Sequence, residues 1–310
     1  MTATRGAATA DDSLGEQHLA RMSDGARILL RRTGRPEGQR LVVSHGVGFA
    51  IDGFSAMWRH LKDDFDLVLF DLRGHGRNPE VGPASVEGTR IVEDTKEIVG
   101  QIDTVWGAKP LWGLFHSYSG LAALRLESLE LGRFAGLVLI EPPAARPPGH
   151  PLFAAFEAER LALAERSAKR QAVFDSVDEL AAKYAGRAQY AHFAEGAADA
   201  LAGSLLVPDG KRWRLACSPA VESRFYATNI DDGLWGRLGD IACPVTVLAG
   251  AEDLANLVPP AVTARDLAHA GGFDFVEVAG TTHMMILERP RFVAEIARAV
   301  IRASSARSGF

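Results

Sequence analysis

The stretch around Ser117 contains the residue types that a covalent catalyst needs. An apolar run over 110–115 leads into HSYSG (116–120), and a helical pattern follows at once. A serine on a tight turn between a strand and a helix has its hydroxyl pushed into the open at the edge of a sheet. The backbone N–H of Tyr118 then points toward the same place and can hold a developing oxyanion. A serine becomes a nucleophile when a nearby base takes its proton, so this stretch predicts nucleophilic catalysis.

The residues beside Ser117 leave two alternatives open. Small residues normally stand two positions before and two positions after such a serine, and here Phe115 and Ser119 occupy those positions. Phe115 is expected either to alter the packing of strand against helix or to project toward a pocket. Ser117 could instead only cap the following helix, because serine is a favoured N-cap residue. Ser119 is a competing nucleophile, disfavoured because Leu121 stands on its far side.

The elements that must position Ser117 follow from short apolar runs separated by helical patterns. Most runs are continuous, as in strands buried on both faces, and they lie at 26–33, 40–44, 66–71, 110–115, 135–140, 244–249 and 273–278. Helical patterns lie at 86–105, 119–131, 259–270 and 289–303. Strands that alternate with helices predict an α/β fold with a mostly parallel central sheet flanked by helices.

Residues 144–236 interrupt the alternation. The proline-rich EPPAARPPGHP (141–151) comes first, and alanine-rich helical stretches follow at 152–172 and 177–203. Because ligands of such sheets bind at the carboxyl ends of the strands, an insert there would roof a pocket. We therefore predict a helical cap inserted after the sixth strand. The predicted division is a flexible extension at 1–25, a core at 26–143 and 237–303, the cap at 144–236, and a tail at 304–310.

These features resemble the α/β-hydrolase fold family over nearly all of residues 26–303. The resemblance rests on four further stretches: SHGVGFAIDGFSAMW (44–58), FDLRGHGRN (70–78), VLAGAEDLANLVPP (247–260) and VAGTTHMMILERPRFVAEI (278–296). The first is similar to the family's oxyanion loop, and it implies that the N–H of Val47 acts together with that of Tyr118. The last two are similar to the loops that supply the triad acid, here Asp253, and the triad base, here His283. The implied triad of Ser117, Asp253 and His283 has the chain order expected for this fold.

Other residues compete for these roles. Glu252 is an alternative acid in the same loop as Asp253, and Glu141, just after another strand, is the acid position in some relatives of the family. Two histidines, His45 and His75, are interpreted as residues that shape loops. The side chains expected to line the substrate pocket are Phe49, Phe115, His116 and Trp213, with core packing as the alternative for the aromatic residues and a structural role for His116.

Composition excludes several classes of protein. The chain has 310 residues, of which 47% are apolar and 24% charged, which is typical of a globular protein. A net charge of −5 argues against a protein built to hold nucleic acid. Two cysteines are too few for a disulfide framework, and residues 1–20 lack the apolar segment of a secretory signal. No apolar run is long enough to span a membrane, so we predict a cytoplasmic protein.

The resemblance and the serine nucleophile together favour hydrolysis through an acyl-enzyme, with no metal and no cofactor. We expect a carboxylic ester hydrolase that acts on a small to medium ester or lactone, without nucleic-acid or membrane partners. One alternative cleaves carbon–carbon bonds in acidic ring-fission products, for which Arg146, Arg187, Arg212 and Arg214 would supply a cationic pocket. Another is a binding protein without catalysis, which Phe115 in place of glycine favours. The oligomeric state stays open, with a homodimer among the options.

Overall fold

The computed structural model describes residues 15–228, 233–251 and 260–308. The strands are β1 (Glu16–Arg21), β2 (Arg27–Gly34), β3 (Gln39–Ser44), β4 (Phe65–Phe70), β5 (Leu111–His116), β6 (Gly136–Ile140), β7 (Val173–Phe174), β8 (Leu206–Asp209), β9 (Arg212–Leu215), β10 (Val245–Ala249) and β11 (Asp274–Glu277). The α-helices are α1 (Ser55–Trp58), α2 (Gly88–Trp106), α3 (Tyr118–Leu129), α4 (Phe153–Ala168), α5 (Val177–Ala185), α6 (Ala197–Leu205), α7 (Pro219–Ala227), α8 (Pro260–Gly271), α9 (Met285–Glu288) and α10 (Pro290–Ser308).

Eight strands form the central sheet, in the order β1-β2-β4-β3-β5-β6-β10-β11. The pairs β1–β2 and β2–β4 are antiparallel, and every other neighbouring pair is parallel. This confirms the predicted mostly parallel α/β sheet. Each of the seven predicted strand runs corresponds to a strand. Five of them (β3, β4, β5, β6 and β10) are buried along all or nearly all of their length, and burial on both faces leaves a local apolar signature.

Helices cover both faces of the sheet. Alternate residues of β4 illustrate the division, since Val68 and Phe70 belong to one buried cluster and Leu67 and Leu69 to the other. Helices α2, α3 and α8 contribute to the first cluster, and α1, α9 and α10 contribute to the second. The carboxyl ends of the parallel strands are thereby held at one edge, where the loops that follow β3, β5, β6 and β11 meet.

Two predicted boundaries are wrong at the ends of the chain. Residues 16–21, assigned to a flexible extension, form β1 on the edge of the sheet, paired in antiparallel fashion with β2. Only Ala20 of this strand is buried, so the segment has no apolar pattern to reveal it. Helix α10 continues to Ser308 and takes up most of the predicted tail at 304–310. Residues 1–14 lie outside the described part of the chain.

The insert (residues 144–236), predicted to be helical, also contains a small antiparallel sheet with the order β7-β9-β8. Its strands have two to four residues, too few to show a period of two. Gly210, with φ of 60°, makes the hairpin turn after Asp209, and this Asp-Gly pair is the signal that the sequence offered. The insert contacts the core near the His283 loop, where the Ala194 N–H donates to the Leu287 carbonyl at 2.9 Å.

Candidate active site

Ser117 lies on the turn between β5 and α3, with φ of 55° and ψ of −121°. Such a conformation costs a residue with a Cβ about 1–3 kcal/mol and persists only where the surroundings fix it. The Ser117 N–H donates to the Ile140 carbonyl at the end of β6, at 2.8 Å. The side chain is partly exposed and makes no cap hydrogen bond to α3. The strained turn therefore presents the hydroxyl at the sheet edge and does not use it to cap the helix.

Phe115 points away from this edge, so its predicted place in the pocket is wrong. Its ring is buried and lies 6.3 Å from the Phe70 ring and 5.9 Å from the Phe134 ring, between centroids. A Cβ added at Gly113 would overlap the Phe115 ring. The missing side chain at Gly113 thus makes the space that a phenylalanine needs two positions before Ser117.

Ser119 is buried, and its hydroxyl donates to the carbonyl of His116 at 3.0 Å. The competing nucleophile is therefore enclosed in the first turn of α3 with its proton engaged. Ser117 is the serine of this segment whose hydroxyl stands at the sheet edge.

His283 lies on the loop between β11 and α9, and its Nδ1 is 2.6 Å from Oε2 of Glu141. Glu141 directly follows β6 and is buried, and its Oε1 accepts the Gly250 N–H at 2.7 Å. A carboxylate at Nδ1 holds the proton on that nitrogen and leaves Nε2 to act as a base. The Thr282 hydroxyl donates to Glu288 at 2.6 Å and steadies the same loop.

Backbone strain marks the same two positions. Among the described residues, Ser117 and Glu141 are the two that are not glycine and have a positive φ, 55° and 43°. Strain of this kind concentrates at functional sites. The bond from the Ser117 N–H to Ile140 joins the strained turns directly. Glu141 was predicted only as an alternative to Asp253, from its place just after a strand; that this strand is β6, the neighbour of β5, is seen in the sheet. Asp253 and Glu252 lie outside the described residues.

The oxyanion loop predicted at 44–58 approaches Ser117 closely. A Cβ added at Gly46 would lie 2.8 Å from Cβ of Ser117 and 3.2 Å from its Oγ, so only glycine fits there. Val47, the predicted oxyanion donor, follows directly and is buried. The next N–H, of Gly48, donates to Nε2 of His75 at 3.1 Å. The loop is therefore held on both sides of Val47, by Ser117 at Gly46 and by His75 at Gly48.

The two histidines interpreted as loop-shaping do hold this region. Nδ1 of His75 lies 2.9 Å from the Arg73 carbonyl and Nδ1 of His45 lies 2.7 Å from the Gly46 carbonyl. Burial, together with the nearby His45, lowers the pKa of His75 to about 3, so His75 is neutral and its Nε2 accepts the Gly48 proton.

His116, predicted as a pocket residue, is buried against the ring of His283. Its ring centroid lies 4.6 Å from that of His283, and its Nε2 is 3.0 Å from the His283 carbonyl. Because a carbonyl only accepts, Nε2 must carry the proton. Burial lowers the pKa of His116 well below its usual value, so the ring is neutral. His116 therefore supports His283, in keeping with the structural alternative.

The two remaining predicted pocket residues, Phe49 and Trp213, differ in their contacts with the site. Phe49 is half-buried and its ring lies 5.6 Å from the His116 ring, so it stands beside the site. Trp213 is half-buried in β9 and packs against the second core cluster. Among the described residues, no hydrogen bond or ring contact joins Trp213 to Ser117 or His283.

The four arginines considered for a cationic pocket do not converge on Ser117. Arg146 pairs with Asp266 on α8 at 2.6 Å. Arg212 pairs with Asp175 at 2.9 Å, Arg214 pairs with Glu80 at 3.0 Å, and Arg187 is exposed. A guanidinium that was not predicted does approach Gly48 of the oxyanion loop: Nη1 of Arg170 would lie 3.5 Å from a Cβ added there. Nothing in the local sequence pattern of Arg170 distinguishes it.

Within the described ranges, no group of three or more His, Cys, Asp or Glu side chains is arranged to hold a metal ion. None of the described helices is both long and apolar enough to cross a membrane.

The sequence model of the alpha/beta hydrolase family matches residues 41–296. The fold is similar to that of E-2-(acetamidomethylene)succinate hydrolase, at a TM-score of 0.72 and 20% identity, over 93% of this chain and 100% of that one. It is also similar to a thioesterase domain from the curacin biosynthetic pathway, at 0.72 and 17% identity, over 93% and 99%. A thermophilic esterase from Thermogutta terrifontis is similar at 0.67 and 18% identity, over 94% and 99%. No curated protein matches the chain in sequence.

Proposed function

The chain belongs to the alpha/beta hydrolase family, and we propose that it is a serine hydrolase that cleaves a small to medium carboxylic ester or lactone. The observation that carries the proposal is the strained Ser117 turn, joined through Ile140 and Glu141 to a paired His283. A serine and a histidine in those roles need no further group to transfer an acyl chain.

In the proposed reaction, Oγ of Ser117 attacks the ester carbonyl carbon while Nε2 of His283 takes the hydroxyl proton. The backbone N–H groups of Val47 and Tyr118 hold the oxyanion of the tetrahedral intermediate. His283 then gives the proton to the leaving alcohol, and the acyl group stays on Ser117. Water, activated by the same histidine, releases the acid and restores the hydroxyl. The complete cycle consumes one water, releases one acid and one alcohol, and returns Ser117 and His283 to their starting protonation states.

We assign the acid of the triad to Glu141. Its 2.6 Å contact with Nδ1 supports this role, and its second oxygen is occupied by the Gly250 N–H, so the carboxylate is fixed in orientation. A fixed carboxylate stabilises the imidazolium that forms when His283 takes the serine proton. Asp253, chosen as the acid from the sequence, lies outside the described residues, so that choice stays a prediction.

An uncharged ester fits the site better than an acidic ring-fission product. Three of the arginines that would have formed a cationic pocket are paired with carboxylates. Two of the similar solved proteins are an esterase and a thioesterase domain, which is compatible with acyl transfer. Phe115, the residue that favoured a non-catalytic protein, packs its ring against Phe70 and Phe134 in the core.

The proposal is tested by hydrolysis of p-nitrophenyl acetate and butyrate, compared between the wild type, Ser117→Ala and the matched control Ser119→Ala. We expect turnover in the wild type and in Ser119→Ala, and its loss in Ser117→Ala. A fluorophosphonate should label Ser117 alone, as read by peptide mass spectrometry. Turnover no higher than that of Ser117→Ala would refute the ester hydrolase. Turnover of a vinylogous diketo acid with poor ester turnover would favour the carbon–carbon hydrolase.

A further inference from the structure

A polar cluster in the insert faces the oxyanion loop, and we name it the Arg170 cluster. It comprises Arg170, Glu222, Tyr184 and Ser167. Nη1 of Arg170 donates to Oε2 of Glu222 at 2.7 Å, and Nη2 donates to the Tyr184 hydroxyl at 2.9 Å. The Ser167 hydroxyl donates to Oε1 of Glu222 at 3.2 Å. The cluster thus links α4, α5 and α7, and both oxygens of Glu222 have a partner.

The cluster touches the core directly after the predicted oxyanion donor. A Cβ added at Gly48 would lie 3.1 Å from Oε1 of Glu222 and 3.5 Å from Nη1 of Arg170. Gly48 follows Val47 in the chain and has φ of 79°. The neighbouring Tyr226 hydroxyl lies 3.5 Å from the Val47 carbonyl. Under the proposed function, a substrate whose oxyanion is held by the Val47 N–H would lie close to the Arg170 cluster.

Arg170 and Glu222 carry opposite charges, and their side chains differ in how far they are exposed. The Arg170 side chain is 24% exposed, whereas that of Glu222 is 8% exposed. Within the described residues, Glu222 and Tyr184 each accept one N–H of the guanidinium. A guanidinium has five such donors, so it can also donate to a polar group of a ligand. A substrate carboxylate beside Arg170 would also lie close to the Glu222 carboxylate, which already balances the charge of the guanidinium. Repulsion between two carboxylates in a poorly solvated place opposes the binding of an anionic substrate, and a neutral acceptor group does not meet that repulsion.

We propose that the Arg170–Glu222 pair selects substrates by charge, admitting uncharged esters with a polar acceptor group and rejecting those that carry a carboxylate. This inference rests on the proposed hydrolase function and specifies its substrate class. It predicts opposite effects for the two partners. Removing the anion leaves a net cation beside the oxyanion loop, and removing the cation leaves a net anion there.

The test uses Glu222→Gln, Arg170→Gln and the control Glu80→Gln, in which the same change is made in the exposed pair with Arg214. Two matched substrate pairs report the two sides of the scissile bond. One is p-nitrophenyl pentanoate with mono-p-nitrophenyl glutarate, and the other is phenyl butyrate with 4-carboxyphenyl butyrate. The readout is the kcat/KM of the anionic member divided by that of the neutral member, with thermal melting as the check on folding.

We expect Glu222→Gln to raise the anionic-to-neutral ratio of kcat/KM about tenfold or more in at least one substrate pair. Arg170→Gln should lower the same ratio below its wild-type value. Glu80→Gln should leave it unchanged. Equal ratios in the wild type and in both cluster variants would overturn the proposal, as would changes of the same sign in both.

Binding separates this proposal from the hydrolase function. The same ratio is measured as Kd by calorimetry with intact esters on the Ser117→Ala background. If Glu222→Gln shifts the binding ratio while the wild type hydrolyses neither ester, charge selection stands and the hydrolase proposal fails. If esters are hydrolysed with ratios insensitive to both variants, the hydrolase stands and charge selection fails. If none of the esters binds, the proposal of charge selection is also overturned.

Discussion

At the scale of single residues, the site depends on the strained backbone at Ser117 and Glu141 and on the buried ring of His116. Ser117 and Glu141 hold positive φ angles at the ends of neighbouring strands. His116, whose ring packs against that of His283, is neutral and donates to the His283 carbonyl. A backbone hydrogen bond to Ile140 fixes the Ser117 turn, and the Glu141 carboxylate, which also accepts the Gly250 N–H, holds the His283 ring. Substitutions at these residues should act on the chemical step more than on substrate binding.

The identity of the acid can be decided by paired isosteric changes. Glu141→Gln keeps the shape but removes the charge that fixes the His283 tautomer, so kcat should fall by roughly 10³–10⁴. Asp253→Asn is the matched change at the other candidate, and we expect it to alter kcat by less than about tenfold. Steady-state kinetics with p-nitrophenyl butyrate measure both. The reverse order of effects would return the role to Asp253.

The support given by His116 is testable with two replacements. His116→Phe keeps a ring against His283 but loses the donor to its carbonyl, which is a loss of about 0.5–1.5 kcal/mol. We expect kcat to fall roughly two- to tenfold with KM little changed. His116→Gln retains an N–H at a similar reach and should recover part of kcat. Equal losses in both variants would show that the hydrogen bond does not position the base.

At the scale of elements, β5 shows how a departure from a sequence pattern is absorbed. The strand that leads to Ser117 carries Phe115 where a small residue is usual, and Gly113 on the same face leaves room for the ring. The small residue of this strand is Gly113, two positions earlier than the place where a small residue is usual. The turn keeps its geometry while the Phe115 ring is buried in the core beside Phe70 and Phe134.

Gly113→Ala should therefore be destabilising. The new Cβ would overlap the Phe115 ring and lie 2.9 Å from Leu137, and overpacking of this kind costs about 1–3 kcal/mol. Urea unfolding gives the free energy of unfolding. Phe115→Leu in the same chain should recover part of the loss, so a double-mutant cycle should show a coupling energy. Additive effects would argue that the two residues do not share this space.

At the scale of the whole molecule, buried neutral histidines couple stability to pH. Burial lowers the pKa of His75 to about 3 and that of His116 well below 6.5. In the unfolded chain both take up protons below about pH 6.5, whereas the folded chain resists this. The unfolded state then binds more protons, so the stability is fully present above pH 6.5 and is lost as the pH falls toward 3.

We expect the free energy of unfolding to fall by up to about 1.4 kcal/mol per pH unit for each such histidine below pH 6. Urea unfolding of the wild type and of His75→Gln between pH 7 and 4.5 measures this, and the variant should show the smaller slope. His60→Gln, at an exposed histidine, is the control and should keep the wild-type slope. Identical slopes in all three would contradict the assignment of His75 as a neutral buried residue.

The sequence by itself determined the parallel α/β sheet and the strand-to-helix turn at Ser117. It could do so because continuous apolar runs and the HSYSG stretch are local patterns. Only the tertiary structure brought Glu141 to His283, across 142 positions of the chain. The direction of the Phe115 ring, the exposed strand β1 and the pairing of Arg170 with Glu222 were also decided there. Each depends on which neighbours the fold supplies, and a local pattern does not encode contacts between distant residues.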